Sequence, residues 1–318
     1  MKITEKKSIS PFYDKVRRIA VLAPNKKFLG AQIVTIPFYR ALKSRFPAAL
    51  INVYSPCPEA SFLTELGLAE QVYIYDLKAG IKDFFRLASL IKKEKYDTVF
   101  VMRNRSERDD LLAFLSGASI KAGFNGAVIA GVVLDHSYKY NKKRYRALNY
   151  LDLLGFSGYE PDAGFSAECG GKIKDEVWFI PCGSLDEKLW PLENYIELAR
   201  RFSEKKKIKP VFILGPAESG YSDTIKSKLK NAAIYESFSV KELLARAPRC
   251  MLSVANDCGP GHIAQISGVP SLVFFRKGAN INEWINSGYS CRALESRGAI
   301  DEINVDEAEK NAEEMLSA

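Results

Sequence analysis

Apolar residues along the chain alternate between two spacings. Short unbroken runs at Arg18–Ala23 (RIAVLA), Ala49–Tyr54, Gln71–Tyr75, Asp97–Met102 (DTVFVM) and Ala118–Phe124 have the character of strands buried on both faces, as in parallel sheets. Helical spacing separates them, over Ile33–Phe46, Phe62–Leu66, Ile81–Lys93 and Arg108–Leu115, with a polar loop at Pro24–Gly30. Ile81–Lys93 ends in basic residues, as its dipole prefers. Tyr138–Leu154 reads as one basic amphipathic helix, and the glycine-rich stretch Gly155–Gly171 as a linker.

The same alternation then begins again. Strands are predicted at Glu176–Pro181, Pro210–Leu214, Ala233–Tyr235, Cys250–Val254 and Ser271–Phe275. Helices are predicted at Pro191–Glu204 with proline in the first turn, at Ser222–Leu229, at Val240–Ala247 and at Ile263–Ser267, closed by Gly268. Ser239 and Glu242 form a capping box ahead of Val240. A last helix covers Asp306–Leu316. Strand and helix in strict alternation, twice over, make a doubly wound sheet in each half the economical fold.

A chain of 318 residues has room for two domains. The pattern divides it into a basic leader at 1–17, a first domain at 18–160 and a second at 172–318. The leader mixes Lys2, Lys6, Lys7, Lys15 and Arg17 with Phe12 and Tyr13, which suits a solvated tail or a touch on an anionic membrane. No apolar run approaches the ~18 residues of a membrane helix, and no secretory signal pattern follows Met1. Six cysteines without CxxC spacing and two histidines argue against zinc and for a reducing cytoplasm. The net charge of +8 favours an anionic partner: a nucleotide, a phosphorylated glycolipid, a membrane face or nucleic acid. No nucleic-acid motif is present.

One stretch concentrates chemistry. Asn256-Asp257-Cys258-Gly259-Pro260-Gly261-His262 lies between a predicted strand and a predicted helix. Such a turn aims backbone N–H groups and a helix N-terminus outward, which suits phosphate. The structural alternative is a plain βα turn with Asp257 as cap. Ligands of open α/β sheets bind beyond the carboxyl ends of the strands. Three loops meet that condition, Cys182–Lys188, Gly215–Glu218 and Asn256–His262. They supply Gly183, Ser184, Lys188, Glu218, Asp257, Gly259 and His262 as a diphosphate cradle, with Glu218 placed for ribose hydroxyls. Each has a structural alternative: a surface lysine, a turn serine, a helix-start carboxylate, a histidine bonded to a carbonyl. In the first half, Arg103 and Arg105 open the loop after the Asp97–Met102 strand, where guanidinium groups suit an acceptor phosphate or carboxylate.

The second half resembles the heptosyltransferases of glycosyltransferase family nine. The family's Lys-x-Trp-Pro segment stands as Lys188-Leu189-Trp190-Pro191, followed by a matching helix from Leu192. Its Asn-Asp-Ser-Gly-Pro-x-His block stands as Asn256–His262 with Cys258 in place of the small hydroxyl residue. Gly215–Glu218 and Ser239–Leu243 fit between them. In the first half Leu29-Gly30-Ala31, Thr35-Ile36-Pro37, Arg40-Ala41-Leu42, Ser116-Gly117-Ala118 and Lys121–Phe124 keep the family's frame.

The resemblance implies a GT-B type fold, two Rossmann-like domains facing a cleft. It implies a nucleotide-sugar donor, foremost ADP-heptose, in the second half. A lipopolysaccharide core or related anionic glycolipid would be the acceptor in the first, at the cytoplasmic face of the inner membrane. Lys188 and Ser184 would offset charge on the leaving diphosphate, with no metal and no further cofactor. The final helix would pack back toward the first domain. The family takes an aspartate in its first loop as the base that deprotonates the acceptor; here that position is Ala31. A substitute base would come from Glu107, Asp109 or Asp110, with Asp109 the chosen candidate. The competing expectation is a member that binds nucleotide sugar or glycan without efficient transfer.

Overall fold

The structure, a computed structural model, describes residues 15–24, 28–159, 174–183, 185–206, 208–286 and 290–317. Most of the basic leader, most of the linker and Ser184 lie outside the described residues. The chain divides into two compact units, Met1–Asp162 and Ala163–Ala318.

The first unit runs β1 (Arg18–Leu22), α1 (Leu29–Ile33), α2 (Ile36–Arg45), β2 (Leu50–Ser55), α3 (Phe62–Glu65), β3 (Gln71–Ile74), α4 (Ile81–Lys93), β4 (Thr98–Val101), α5 (Glu107–Leu115), β5 (Ile120–Phe124), α6 (Ala130–Val133), β6 (His136–Tyr138) and α7 (Arg146–Asp152). Its six strands are parallel, in the order β3-β2-β1-β4-β5-β6. The chain starts mid-sheet, walks out to β3, returns to β4 and walks out the other way. The reversal between β1 and β4 is the point where such sheets open a crevice at their carboxyl edge. Leu22 stands opposite both Tyr54 and Val101, so β1, β2 and β4 end level there.

The second unit repeats the plan with β7 (Glu176–Ile180), α8 (Leu192–Lys206), β8 (Lys209–Leu214), α9 (Tyr221–Lys228), β9 (Ala233–Glu236), α10 (Val240–Arg246), β10 (Cys250–Asn256), α11 (Gly259–Ile266), β11 (Ser271–Phe275), α12 (Ile281–Trp284), β12 (Cys291–Glu295) and α13 (Val305–Ser317). The order is β12-β11-β10-β7-β8-β9, again all parallel. Read from its own first strand, each sheet has the order 3-2-1-4-5-6 of a Rossmann fold. Each has its own core. Val101, Leu112 and Ile91 belong to one in the first unit; Val177, Phe179, Trp190, Leu252 and Phe274 belong to one in the second.

Three expectations change. Tyr138–Leu154 is not one helix: α7 covers only Arg146–Asp152. The buried Asn149 accepts from Asn141 N at 2.7 Å and donates back to Asn141 O at 3.1 Å, which folds the Lys142–Arg144 segment over as a loop. β6 and β12 are half-exposed sheet edges with mixed composition, and carry no unbroken apolar run. α11 starts at Gly259, so the supposed polar turn supplies the first helical residues, with Cys258 and not Asp257 at the cap. The final helix seats on α8 of its own unit. Ala308, Ala312 and Met315 enter that unit's core, and Glu309 meets Arg201 at 2.8 Å and Lys205 at 2.5 Å. The Ser239–Glu242 capping box forms as read.

Candidate functional site

In the second unit β10, β7 and β8 lie side by side, and their exits share one edge. Ile180 stands opposite Ala255, so the chain leaves β7 and β10 at the same level, across the reversal point of the sheet. Asn256, the last residue of β10, is fully buried and ties these exits together. Its Oδ1 accepts from Trp190 N and from the Tyr195 hydroxyl, both at 3.0 Å, and its Nδ2 donates to Cys182 O at 3.2 Å. Trp190 is anchored a second time, its indole N–H donating to Ile303 O at 2.7 Å. The segment that carries Lys188 is therefore fixed from two sides. Asn256 and Trp190 were legible only as motif letters; their work as braces needs the fold.

Lys188 Nζ lies 3.2 Å from Asp257 Oδ2, and His262 Nε2 lies 3.4 Å from Asp257 Oδ1. Gln265 Nε2 approaches His262 Nδ1 at 3.4 Å. If the amide N–H donates there, the imidazole proton sits on Nε2 and points at Asp257. Burial pushes the Asp257 carboxyl up, but His262 and Lys188 outweigh it and hold the group below the usual carboxylate range. The result is an ionised carboxylate positioning an ammonium. Lys188 remains about one-third exposed, with donors to spare for an incoming anion.

Beside it stands the N-terminus of α11. Gly259 opens the helix, Pro260 supplies a first-turn residue that needs no N–H partner, and Gly261 lets the turn sit hard against the strand. A Cβ on Gly261 would lie 3.1 Å from Ala255 Cβ and 3.2 Å from Asn256 O. The positive end of the helix is thus held on the same strand exit as the Asp257 that Lys188 meets. The edge brings Gly183, Lys188, Glu218, Asp257, Gly259 and His262 together. Glu218 is held by two backbone N–H groups. Its Oε1 accepts from Gly183 N at 3.3 Å and its Oε2 from Gly215 N at 3.1 Å, with the side chain buried. It clamps the β7 and β8 exits to each other. A depression of about 340 Å³ adjoins the edge, lined by Glu187, Leu189, Pro191, Arg276 and Ile300 among others. Among the described residues no cluster of His, Cys, Asp or Glu could hold a metal ion, and no disulfide joins two of the described cysteines.

Comparison with known proteins decides the family. The model of glycosyltransferase family 9 (heptosyltransferase) matches residues 84–282, more than half of the chain. The chain belongs to glycosyltransferase family 9. Lipopolysaccharide heptosyltransferase 2 of Escherichia coli is 25% identical over 291 residues, covering 81% of this chain and 82% of that protein. Lipopolysaccharide core heptosyltransferase OpsX of Haemophilus influenzae is 24% identical over 253 residues, with 70% and 71% covered. Among solved structures, a family 9 glycosyltransferase from Veillonella parvula superposes with a TM-score of 0.73 at 20% identity, covering 96% of this chain and 98% of that one. The E. coli heptosyltransferase WaaC with ADP gives 0.73 at 14%, covering 94% and 99%. The fold is that of the GT-B heptosyltransferase structures, two parallel six-stranded sheets with helices.

Ala31, where the resemblance puts the base, lies inside α1 and not in a loop, 1% exposed. Asp109 does not offer itself as replacement. Ser106 caps α5 and accepts from Asp109 N at 3.3 Å. The fully buried Asp109 side chain turns inward, 2.9 Å from Arg103 Nε. Burial pushes its carboxyl up to about 6 against the pull of Arg103. Arg103 is consumed by the same network, donating also to the Tyr75 hydroxyl at 3.0 Å and to Ser106 Oγ at 3.4 Å. It braces the β4 exit and does not reach out for an acceptor. Arg105 is the exposed member of the pair, on a left-handed backbone with φ of 63°. Glu107 accepts from Val128 N at 2.6 Å and Ile129 N at 3.3 Å. Asp110 stands apart: 1% exposed, with no hydrogen-bond partner for either carboxylate oxygen among the described residues.

Proposed function

We propose that this glycosyltransferase moves a sugar, foremost heptose, from an ADP-activated donor to a lipopolysaccharide core or related anionic glycolipid, with inversion. The observation that carries the reading is the fixed Lys188–Asp257–His262 array beside the α11 N-terminus. As the glycosidic bond to the diphosphate breaks, negative charge grows on the leaving oxygens. A preorganised ammonium and helix N–H groups would offset it with little reorganisation. These groups would do electrostatically what a metal does elsewhere, so the proposal includes no metal and no further cofactor. Arg105 would meet the anionic acceptor, and the reaction would take place on the cytoplasmic side. The relatives named for lipopolysaccharide heptosyl transfer, and the solved structure titled with ADP, support the donor and acceptor classes.

Calorimetric titration with ADP tests the donor site. Binding should fall in the micromolar to millimolar range, and Lys188→Ala should weaken it by about 1.5–3 kcal/mol, as for a charge-assisted contact. Equal affinity for the variant would remove Lys188 from the site.

A second reading is favoured by Ala31 and by the burial of Asp109: the chain binds donor without efficient transfer. Base catalysis contributes about 10²–10⁴ in rate. ADP release in the presence of acceptor, measured for the wild type and Ala31→Asp, separates the two. A wild-type rate that the variant does not raise puts the base elsewhere in an active enzyme. Release gained only in the variant, with equal ADP affinity, supports the binding role.

A further inference from the structure

Helices α4, α5 and α6 pack side by side on one face of the first sheet, over a shared core that includes Ala88, Ile91, Leu112, Ala113 and Ala130. Their outer side is not finished as an ordinary solvated surface. Ile81 is 77% exposed and Phe85 58% on α4, Phe114 is 57% exposed on α5, and Val128 and Val132 are 92% and 90% exposed at α6. Single exposed apolar residues mean little, but a group on three adjacent helices marks an interaction surface.

The charge along α4 is mostly positive. Lys82, Arg86 and Lys93 recur at i, i+4 and i+11 and form one exposed stripe along α4. Two of the three acidic residues of α5, Asp109 and Asp110, are buried, and the exposed Glu107 accepts from the backbone N–H groups of Val128 and Ile129. Only Asp83, paired with Arg86 at 3.2 Å, opposes the stripe on α4. The same bias holds for the whole unit. Residues 1–162 contain 26 Lys and Arg against 16 Asp and Glu, whereas residues 163–318 contain 20 against 22. The chain's entire positive excess therefore sits in the unit that carries the apolar face.

We infer that the α4–α6 face docks this glycosyltransferase on an anionic lipid bilayer. Phenylalanine, isoleucine and valine side chains enter the headgroup boundary, while Lys82, Arg86 and Lys93 meet lipid phosphates. A second copy of the chain fits less well, because a two-fold contact would set the cationic stripe against itself. The docking does not depend on the donor reading: it uses only the first unit, and the array around Lys188 lies in the second.

The test is co-sedimentation of the full chain with vesicles of phosphatidylcholine alone and with phosphatidylglycerol added. Binding is expected to the mixed vesicles and to weaken with salt. The pairs Val128→Ser/Val132→Ser and Lys82→Gln/Arg86→Gln should each lower the partition coefficient by about tenfold or more. Leu50→Ser, which removes an exposed leucine at the start of β2, outside helices α4–α6 and outside the donor site, should leave it unchanged. Melting and ADP affinity should be the same for all these proteins, so a folding defect is visible separately. Equal binding to both vesicle types, or retained binding in both pairs, overturns the inference. So does a dimer in sedimentation velocity that the valine pair abolishes without vesicle binding by the wild type. Absent ADP binding with vesicle binding intact would sink the donor reading and leave this one standing.

Discussion

Asp110 is the residue that ordinary folding would not choose. It sits in the first turn of α5, buried, with both oxygens unpartnered. Burial, then the charges of Asp109 and Glu107, push its carboxyl up from 3.8 to about 7. A raised carboxyl pKa means that the folded chain holds the proton more tightly than the unfolded one. Its contribution is therefore most favourable below the unfolded value and is lost as pH rises toward about 7. Asp110→Asn keeps the shape and removes the charge. Thermal melting should show the variant more stable by about 1–3 kcal/mol at pH 8, with a smaller gain at pH 5. Destabilisation at pH 8 would mean that the carboxylate has a partner and is held ionised. Asp109, Arg103 and Glu218 carry a related lesson. Sequence places them at the edge of a sheet, where ligands bind, and that placement holds. Whether a charged side chain faces outward or is spent on a neighbour depends on contacts such as Arg103–Asp109, between groups that no spacing rule pairs.

At the scale of elements, the legible parts were those with one environment along their length. β4 and β7 are buried from end to end, β1 from Ile19 onward, and all three read directly from unbroken apolar runs. α4 was bounded to the residue, Ile81–Lys93, with the basic end its dipole prefers. β6 and β12 were missed because an edge strand keeps one side in solvent and needs no apolar run. The start of α11 was hidden because Gly-Pro-Gly is a turn signal when the partner surface is unknown. Packing reverses that meaning at Gly261. Both close neighbours, Ala255 Cβ and Asn256 O, belong to the strand end and cannot swing away as a flexible side chain can. Gly261→Ala should therefore shift the helix start from the strand, costing about 1–3 kcal/mol of stability and weakening ADP binding beyond the loss expected from stability alone. Gly131→Ala in α6 is the control, since its Cβ would meet nothing within 4 Å. It should be neutral or stabilising by about 0.5–1 kcal/mol. Equal effects at the two glycines would show that helix propensity, and not close packing, sets the requirement at Gly261.

Over the whole molecule, chemistry and charge are divided as the fold is divided. Each unit has its own six-stranded sheet and its own apolar core. All the described residues of the proposed donor site lie in the second unit, from Gly183 to His262. Their braces lie there too: Asn256 to Trp190 and Tyr195, Trp190 to Ile303, Glu218 to Gly183 and Gly215. α13 closes that core from the chain's end through Ala308, Ala312 and Met315. A domain with a complete core can in principle fold alone, and a site braced only from within should survive the separation. Residues 172–318 expressed by themselves should then give a cooperative melt and bind ADP within about tenfold of the full chain, since about 1.4 kcal/mol is the most such a separation should cost. Lys188→Ala should weaken binding in the fragment by the same factor as in the full chain. A folded fragment that binds no ADP, beside a full chain that does, would show that the first unit supplies part of the donor site. A fragment that binds ADP with no response at Lys188 would place the nucleotide elsewhere on the second sheet.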